Sequence, residues 1–266
     1  MGGAPQRPAK IRIQGLNKVF PAENGDFRAL SGVDLHLGDG EFVSLLGPSG
    51  CGKSTLLRLI AGLESITSGS LEVDGRSLDG PPAGLGMVFQ RDVLLDWRSI
   101  LDNVLLPVEF AGGRRDDYVT RARDLLVQYG LAGFEDRHPW QLSGGMRQRA
   151  AICRALILDP SFLIMDEPFG ALDALTRDEL NIELQRLWQT TRKSVLFVTH
   201  SIAEAVFLSD RVVVMATRPG RIVETIAIDL PRPRDLAIRE TASFGRYSAH
   251  IRDLFERHGV LRTKPS

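Results

Sequence analysis

The sequence has little of what would mark a secreted, membrane-spanning or disulfide-stabilised protein. Only two of its 266 residues are cysteines, Cys51 and Cys153, too few for a disulfide framework. The first ten residues lack the apolar core of a secretory signal. No apolar run approaches the roughly 20 residues that a membrane-spanning helix needs. We therefore expect a protein that stays in the cytoplasm.

The chain also lacks net charge, internal repeats and low-complexity segments. Its 33 basic and 33 acidic residues cancel, which argues against nucleic acid as a partner. Apolar residues make up 43% of the chain, enough to bury the core of one domain, with or without a subdomain. Any partner must then be recognised by a local site and not by overall charge.

Short apolar runs that end in polar residues alternate with amphipathic helical patterns, which predicts an α/β fold. The runs are interpreted as buried parallel strands at residues 42–46, 85–89, 162–165, 195–198 and 212–215. Shorter runs near the N-terminus predict an antiparallel flank at residues 11–13, 33–37 and 71–73. Helical patterns dominate from residue 91 to residue 158. We expect a mainly parallel sheet, an antiparallel N-terminal β flank and an inserted helical subdomain.

Residues 47–54 match G-x-x-x-x-G-K-[ST], the pattern of a P-loop that binds nucleotide phosphates. A predicted strand precedes the loop and a predicted helix follows it, so the phosphates would lie at a helix N-terminus. Lys53 is placed to reach the β- and γ-phosphates, and Ser54 to ligate Mg²⁺. The alternative is a glycine-rich turn without function. The predicted nucleotide-binding residues are Gly47, Pro48, Ser49, Gly50, Cys51, Gly52, Lys53, Ser54 and, secondarily, Thr55.

Four polar residues follow predicted strands, so their side chains should meet at the carboxyl edge of the sheet. Asp166 is the expected Mg²⁺ ligand, and Glu167 is placed to accept a proton from, or to orient, a water that attacks the γ-phosphate. Gln90 is expected to contact Mg²⁺ or that water, and His200 to hold the γ-phosphate. The structural alternatives are an acidic pair that caps the next segment and two ordinary polar residues.

A second glycine motif, Leu142-Ser143-Gly144-Gly145-Met146, opens another predicted helix. The Ser143 hydroxyl and the backbone N–H groups of Gly144 and Gly145 are suited to an anion at a positive helix end. One nucleotide already has a loop at residues 47–54, so this motif needs a second ligand. Further along, Asp173 is either the cap of the helix that runs through residue 187 or a functional residue.

Taken in order, these motifs resemble those of the nucleotide-binding subunits of ATP-binding-cassette (ABC) transporters, over residues 11–223. Residues 47–55 resemble the Walker A loop, Gln90 the Q-loop, and residues 142–148 the signature. Residues 164–167 resemble the Walker B strand, 171–173 the D-loop, and His200 the switch histidine. The resemblance implies ATP and Mg²⁺ as cofactors. In that family two subunits close head to tail, so Ser143, Gly144 and Gly145 of one subunit would cover the γ-phosphate held by the other.

The resemblance also implies a domain organisation. Residues 1–228 would form an ABC ATPase cassette on a P-loop NTPase core, with the helical subdomain inserted at about residues 91–158, and residues 229–266 would form a C-terminal helical extension. Phe20 matches the position of an aromatic residue that stacks on adenine, although the family more often has tyrosine there. Phe27 is the nearest alternative.

The partners implied by the resemblance are a second copy of the chain, two integral membrane permease subunits and, indirectly, an extracytoplasmic solute-binding protein. The chain would then lie at the cytoplasmic face of the inner membrane. Local stretches at residues 80–82, 94–97, 165–173 and 218–222 resemble the nitrate, sulfonate and taurine import group. Two residues depart from it: Asp96 replaces a usual proline in the region that contacts the membrane subunit, and Ser201 replaces a usual aspartate after His200.

The prediction is an ATPase coupled to import of a small anion or sulfonate-like solute. A pyrimidine-precursor importer or an exporter would carry the same core motifs. A soluble ABC-type ATPase acting on DNA or ribosomes would need a long inserted coiled coil or two fused cassettes, and the sequence has neither. A small-molecule kinase would use the loop at residues 47–54 but would leave residues 142–146 unexplained.

Overall fold

The computed structural model describes residues 8–21 and 25–260. Their strands form two sheets, one of four strands and one of six. The strands are β1 (Ala9–Phe20), β2 (Phe27–Gly38), β3 (Phe42–Leu46), β4 (Ser68–Val73), β5 (Arg76–Ser77), β6 (Leu85–Val88), β7 (Phe162–Asp166), β8 (Ser194–Thr199), β9 (Arg211–Ala216) and β10 (Arg221–Ala227). The helices are α1 (Lys53–Ile60), α2 (Ile100–Phe110), α3 (Asp116–Gln128), α4 (Gly144–Leu156), α5 (Ala174–Thr191), α6 (Ile202–Leu208) and α7 (Ala242–Arg257).

The smaller sheet has the strand order β2-β1-β4-β5 and is antiparallel. Ile13 of β1 lies opposite Leu35 of β2 on one side and Leu71 of β4 on the other. Buried and exposed residues alternate along much of β1 and β2 because one face packs on the core and the other faces solvent. The predicted antiparallel flank is confirmed, although β1 and β2 run well beyond the apolar stretches at residues 11–13 and 33–37.

The larger sheet has the strand order β10-β9-β3-β8-β7-β6. All its neighbouring strands are parallel except β10, which pairs antiparallel with β9. β3, β7, β8 and β9 are almost completely buried, which explains their continuous apolar sequences. The predicted mainly parallel α/β sheet is confirmed, and each of its five predicted strands is present. β10 was not predicted, because its mostly exposed and half-buried residues do not form an apolar run.

Successive residues of the central strand β3 point into two different apolar cores. Val43 and Leu45 face a core shared with the antiparallel sheet and α1, while Phe42 and Leu46 face a core shared with α2 to α7. In the second core, the Phe42 ring packs edge-on against Trp188 of α5 with 6.2 Å between ring centroids. Because β3, β7 and β8 pair in parallel within this buried sheet, their carboxyl ends lie at one edge.

Three helices, α2, α3 and α4, occupy the part of the chain between β6 and β7 where helical patterns dominate the sequence. They pack on one another through one apolar core with the sheet, and α7 from the C-terminal part contributes Phe244 and Ile251 to that same core. The division into a cassette at residues 1–228 and an extension at 229–266 stays a prediction. Within residues 8–21 and 25–260, no helix is both long and apolar enough to cross a membrane.

Arg234 connects the chain between β10 and α7 to α6 by hydrogen bonds. Its side chain is only 3% exposed and donates hydrogen bonds to five backbone carbonyls. The acceptors are the carbonyl oxygens of Val206, Phe207, Ser209, Ile228 and Leu230. Three of them lie at the C-terminal end of α6, where a positive charge is favoured by the helix dipole. Burial lowers the pKa of the Arg234 guanidinium to about 10.

Candidate active site

The loop between β3 and α1 requires glycine at positions where a side chain would clash or strain the backbone. Gly52 caps α1 with φ of 92°, and a Cβ atom there would lie 2.6 Å from Leu30 Cδ2. A Cβ atom on Gly47 would lie 2.6 Å from the Cys51 sulfur. The loop therefore wraps closely in front of the N-terminus of α1, with its backbone free to approach a ligand.

Lys53 is the first residue of α1, and its side chain folds back over the loop. It is only 5% exposed, and its Nζ donates hydrogen bonds to the carbonyl oxygens of Gly47 at 2.7 Å and Pro48 at 3.0 Å. A buried ammonium at a helix N-terminus concentrates positive potential within the curve of the loop. This arrangement fits a phosphate chain.

Glu167 brings the predicted hydrolytic residues together at the carboxyl edge of the sheet. Its Oε1 lies 3.6 Å from Lys53 Nζ, and its Oε2 lies 3.1 Å from His200 Nδ1 and 3.4 Å from Gln90 Nε2. Glu167 has a positive φ of 44°, and its N–H donates to the carbonyl oxygen of Val198 at 2.9 Å. Such a conformation in a non-glycine residue is uncommon and is retained where the surroundings fix it.

Asp166, the last residue of β7, lies beside Glu167 and contacts Ser54 of α1. Burial and the neighbouring Glu167 charge raise the pKa of the Asp166 carboxyl, against a hydrogen bond with the Ser54 hydroxyl and the charge of Lys53. A carboxylate that burial and a like charge destabilise is suited to a cation. Asp166 and Ser54 supply the oxygen ligands that Mg²⁺ prefers.

The donor set fits Mg²⁺ bound together with a nucleotide better than Mg²⁺ bound by protein alone. Among the described residues, no three His, Cys, Asp or Glu side chains cluster as a metal site. Mg²⁺ in phosphate-transfer sites takes one or two protein ligands and completes its shell with phosphate and water. Ser54 and Asp166 would hold the ion, and the Gln90 amide oxygen is the further candidate ligand.

Ser143 begins α4 as its N-cap. Its hydroxyl oxygen accepts a hydrogen bond from Met146 N at 3.2 Å, and its side chain lies at an exposed position. The hydroxyl hydrogen stays available to a ligand, because the capping oxygen acts only as an acceptor. No hydrogen bond between described residues joins residues 142–146 to residues 47–55.

The two signature glycines allow α4 to pack against the D-loop and α5. A Cβ atom on Gly145 would lie 2.6 Å from Thr176 Cγ2, and one on Gly144 would lie 3.3 Å from Leu172 Cδ2. Gly145 is buried and Gly144 is half-buried. Sequence reasoning explained these glycines only by anion binding, and the steric reason needs the three-dimensional neighbours.

Asp173 caps α5. Its Oδ1 accepts from Thr176 N at 3.0 Å, and its Oδ2 accepts from Thr176 Oγ1 at 2.7 Å. The backbone N–H of Thr176 and its hydroxyl lower the pKa of the exposed Asp173 carboxyl. The capping alternative is therefore present in the structure, while contact of Asp173 with a partner's nucleotide stays a prediction.

Phe20 and Phe27 lie opposite each other at the open end of the β1–β2 pair. Phe20 is half-buried, and the Lys18 ammonium lies 4.6 Å from the centroid of its ring. Phe27 is exposed. An adenine-stacking role for Phe20, with Phe27 as the alternative, stays a prediction.

Gly220 is a supporting residue that sequence reasoning did not place at the site. A Cβ atom there would lie 2.2 Å from the carbonyl oxygen of Cys51 in the glycine loop. Gly220 also exchanges backbone hydrogen bonds with β2, donating to Ala29 O at 3.0 Å and accepting from Ser31 N at 2.9 Å. The turn before β10 therefore packs directly against the glycine loop, and only glycine fits at position 220 without a clash.

Comparison with known proteins agrees with this geometry. The ABC transporter family model matches residues 30–170. A taurine import ATP-binding protein, TauB, of Burkholderia pseudomallei is 47% identical over 224 residues, which cover 84% of this chain and 86% of that protein. An uncharacterized ABC transporter ATP-binding protein of Methanocaldococcus jannaschii is 47% identical over 247 residues, which cover 93% of this chain and 91% of that protein. TauB of Escherichia coli is 46% identical over 211 residues, covering 79% and 83%.

Solved structures give the same assignment. The ATP-binding cassette MJ0796, in a dimeric post-hydrolysis state with ADP and Pi, is 30% identical with a TM-score of 0.71, covering 83% of this chain and all of that one. The cassette cbiO1 of Clostridium perfringens is 25% identical with a TM-score of 0.75, covering 94% and 96%. The site described above fits ATP and Mg²⁺, the cofactors of such cassettes. The chain belongs to the ABC transporter family and is an ATP-hydrolysing, ATP-binding subunit.

Proposed function

We propose that this chain is the ATPase subunit of an importer for taurine or a related sulfonate. The observation that carries the solute class is the identity of 46–47% to TauB proteins over 79–84% of the chain. Fold alone would not support it, because one cassette architecture serves many solutes. Cassettes of a nitrate or pyrimidine-precursor importer, or of an exporter, are the alternatives that the test below separates.

The hydrolytic role of the site rests on the arrangement around Glu167. Bound ATP supplies the γ-phosphoryl group that water attacks. The Glu167 carboxylate is placed to orient that water and accept its proton, and Lys53 stabilises the developing negative charge. His200 Nδ1, at 3.1 Å from Glu167 Oε2, orients the carboxylate and would contact the γ-phosphate. Asp166 and Ser54 would hold Mg²⁺, with Gln90 as the further candidate ligand.

Each ATP site is completed by a second copy of the chain. Among the described residues of one chain, no hydrogen bond links Ser143 at the start of α4 to the loop at residues 47–55, although both motifs are suited to anions. A head-to-tail dimer would bring Ser143, Gly144 and Gly145 of one subunit over the nucleotide held by Lys53 of the other. The dimeric state of MJ0796 supports this arrangement. ATP would then favour the closed dimer, and hydrolysis would release it.

A surface beside the Gln90 loop is suited to a membrane permease. Trp97 is 75% exposed and Phe110 is 83% exposed, and Val93 is also exposed. The Arg98–Glu109 ion pair at 2.7 Å holds together the stretches of chain that carry Trp97 and Phe110, and neighbouring exposed apolar side chains are typical of protein contacts. We propose that one permease subunit docks here on each copy of the chain, so that two permease subunits hold the dimer at the cytoplasmic face of the membrane. An extracytoplasmic solute-binding protein would contact only the permease.

The docking surface is tied to the signature helix α4 by two arginines. Arg154 donates to the carbonyl oxygens of Val93 at 2.7 Å and Asp92 at 2.6 Å, and Arg147 Nε donates to Asp92 Oδ2 at 2.9 Å. Movement at the permease contact would therefore be transmitted to Ser143 at the start of α4. This connection gives a physical route from dimer closure to the membrane subunits.

The test is to purify the complex with its membrane subunits, reconstitute it in vesicles and measure ATP hydrolysis with the binding protein. We expect taurine or another sulfonate to stimulate hydrolysis and a complex carrying Lys53→Ala to show no response. Stimulation by nitrate or a pyrimidine precursor, but by no sulfonate, would contradict the proposed solute class. Absence of any copurifying binding protein would favour an exporter.

A further inference from the structure

A buried carboxylate, Glu204, lies outside the set of residues that hold nucleotide. It is on the first turns of α6 and is only 6% exposed. The Thr199 hydroxyl donates a hydrogen bond to its Oε2, and Arg177 Nε lies 3.6 Å from its Oε1. Burial raises the pKa of Glu204, against the Thr199 hydrogen bond and the charges of Arg177, His200 and Arg239. Placing an acid here costs folding free energy, so its contacts need an explanation.

Arg177 reaches from α5 to both the D-loop and Glu204. Its Nη2 donates to the carbonyl oxygen of Leu172 at 2.8 Å, one residue before the Asp173 cap. Its Nε faces the Glu204 carboxylate. The planar fork of a guanidinium allows both contacts at once, which a lysine ammonium would not.

Thr199 and Ser201, on either side of His200, belong to the same network. The Thr199 oxygen accepts from Ser201 N at 3.0 Å while its hydroxyl donates to Glu204. The Ser201 hydroxyl accepts from Glu204 N at 3.3 Å and caps α6. The backbone on both sides of His200 is thus fixed by contacts with Glu204, and the His200 ring reaches Glu167.

We propose that Arg177, Glu204 and Thr199 are positioning residues for ATP hydrolysis, joining the D-loop at Leu172 to the His200 loop within one subunit. The inference rests on the hydrolysis site proposed above. The D-loop faces α4 through Leu172 and Gly144, so it responds to the placement of the signature helix. A shift of the D-loop would move Arg177, Glu204 and Thr199 and therefore His200, which orients the Glu167 carboxylate. Closure of the dimer and alignment of the hydrolytic residues would therefore occur together.

The main test compares Glu204→Gln with a matched control, Glu183→Gln. Glu183 of α5 also pairs with an arginine, since its carboxylate accepts two hydrogen bonds from Arg149 of α4 at 2.7 and 3.0 Å. Among the described residues, neither of these two side chains forms a hydrogen bond or ion pair with the D-loop or the His200 loop. We expect Glu204→Gln to lower kcat about tenfold and to change the KM and Kd for ATP by less than about twofold. Glu183→Gln should leave kcat within about twofold of the wild type.

A milder pair of variants tests the same link if Glu204→Gln lowers the yield of folded protein. Thr199→Ser retains the hydroxyl that Glu204 accepts from, and Thr199→Val replaces it with a methyl group of similar volume. We expect Thr199→Ser to retain kcat and Thr199→Val to lose it to the extent that Glu204→Gln does. The double variant Arg177→Lys with Glu204→Gln should have the same kcat as the less active of the two single variants, because both substitutions break the same link.

The outcomes separate this inference from the proposed function. All rates are measured on folded, full-length chain with ATP and Mg²⁺, at a temperature below each variant's unfolding midpoint. The proposal is wrong if Glu204→Gln and Thr199→Val have the same kcat as Glu183→Gln. It is also wrong if the loss of kcat in each variant is explained entirely by its lower unfolding midpoint, because the network would then be only structural. If the wild type itself fails to hydrolyse ATP, the hydrolysis site is wrong instead.

Discussion

Replacing Gly145 with alanine tests whether close packing of α4 on α5 requires this glycine. The new Cβ would lie 2.6 Å from Thr176 Cγ2, closer than side-chain carbons approach in folded proteins. The Thr176 methyl group is not free to turn away, because its hydroxyl donates to Asp173 Oδ2 at 2.7 Å and caps α5. Either the two helices separate or the cap is lost.

The expected magnitude is a balance of two opposite effects. Overpacking a well-packed contact costs about 1–3 kcal/mol. Alanine in place of a helical glycine recovers up to about 1 kcal/mol. The net loss should be about 1 kcal/mol, which lowers the unfolding midpoint of a chain this long by roughly 2–4 °C. ATP hydrolysis should fall as well, since Ser143 and the D-loop would move apart.

Two further variants make the assay specific. Gly245 lies inside α7, and outside its own helical turn no described part of the chain lies within 4 Å of the place a Cβ would take, so Gly245→Ala should raise the unfolding midpoint. Adding Thr176→Ser to Gly145→Ala removes the clashing methyl group and keeps the capping hydroxyl, so the midpoint should recover. Thermal unfolding followed by circular dichroism measures all of these. The reasoning is refuted if Gly145→Ala raises the midpoint as Gly245→Ala does, or if Thr176→Ser restores nothing.

Two other predictions concern stability. Burial opposes a low pKa for Glu41, but hydrogen bonds from Arg211 and from Gly38 N outweigh it, so the folded pKa lies below the usual value. The ionised Glu41 carboxylate therefore adds to the free energy of unfolding. This addition is complete above the pKa that Glu41 has in the unfolded chain, and it is lost as pH falls through the lower pKa of the folded protein. In urea titrations below about pH 5, Glu41→Gln should lose stability less steeply than the wild type. Arg234→Gln leaves buried carbonyls without donors and should cost at least about 3 kcal/mol, while the exposed Arg246→Gln should cost less than about 0.5 kcal/mol in the same titrations. An equal effect of the two arginine variants would contradict the buried hydrogen-bond network.

The sequence predicts the central part of the fold well because burial there is two-sided. β3, β7 and β8 are apolar at nearly every position, and such runs between helical patterns indicate parallel strands without any three-dimensional information. The boundaries of β1 and β2 and the existence of β10 depend on backbone pairing by half-exposed residues. Their side chains carry little periodic signal, so the apolar pattern marks only their buried centres.

The candidate site was also predictable only where its residues follow strands. Gln90, Glu167 and His200 were placed at one sheet edge because each follows a strand, and the structure brings them within hydrogen-bonding distance. Contacts that depend on helix packing gave no sequence signal. Arg177 and Glu204 are 27 positions apart, and nothing in their local sequence connects them until α5 and α6 pack together.

The most direct test of the shared ATP site is the molecular mass of two variants with ATP and Mg²⁺, measured by light scattering after gel filtration. Glu167→Gln should bind ATP without hydrolysing it and run as a dimer. Glu167→Gln combined with Ser143→Arg should bind ATP with a similar Kd through Lys53 but remain a monomer, because Ser143 would serve only the partner's nucleotide. A dimer of the double variant, or loss of ATP binding by its monomer, would contradict the division of each site between two chains.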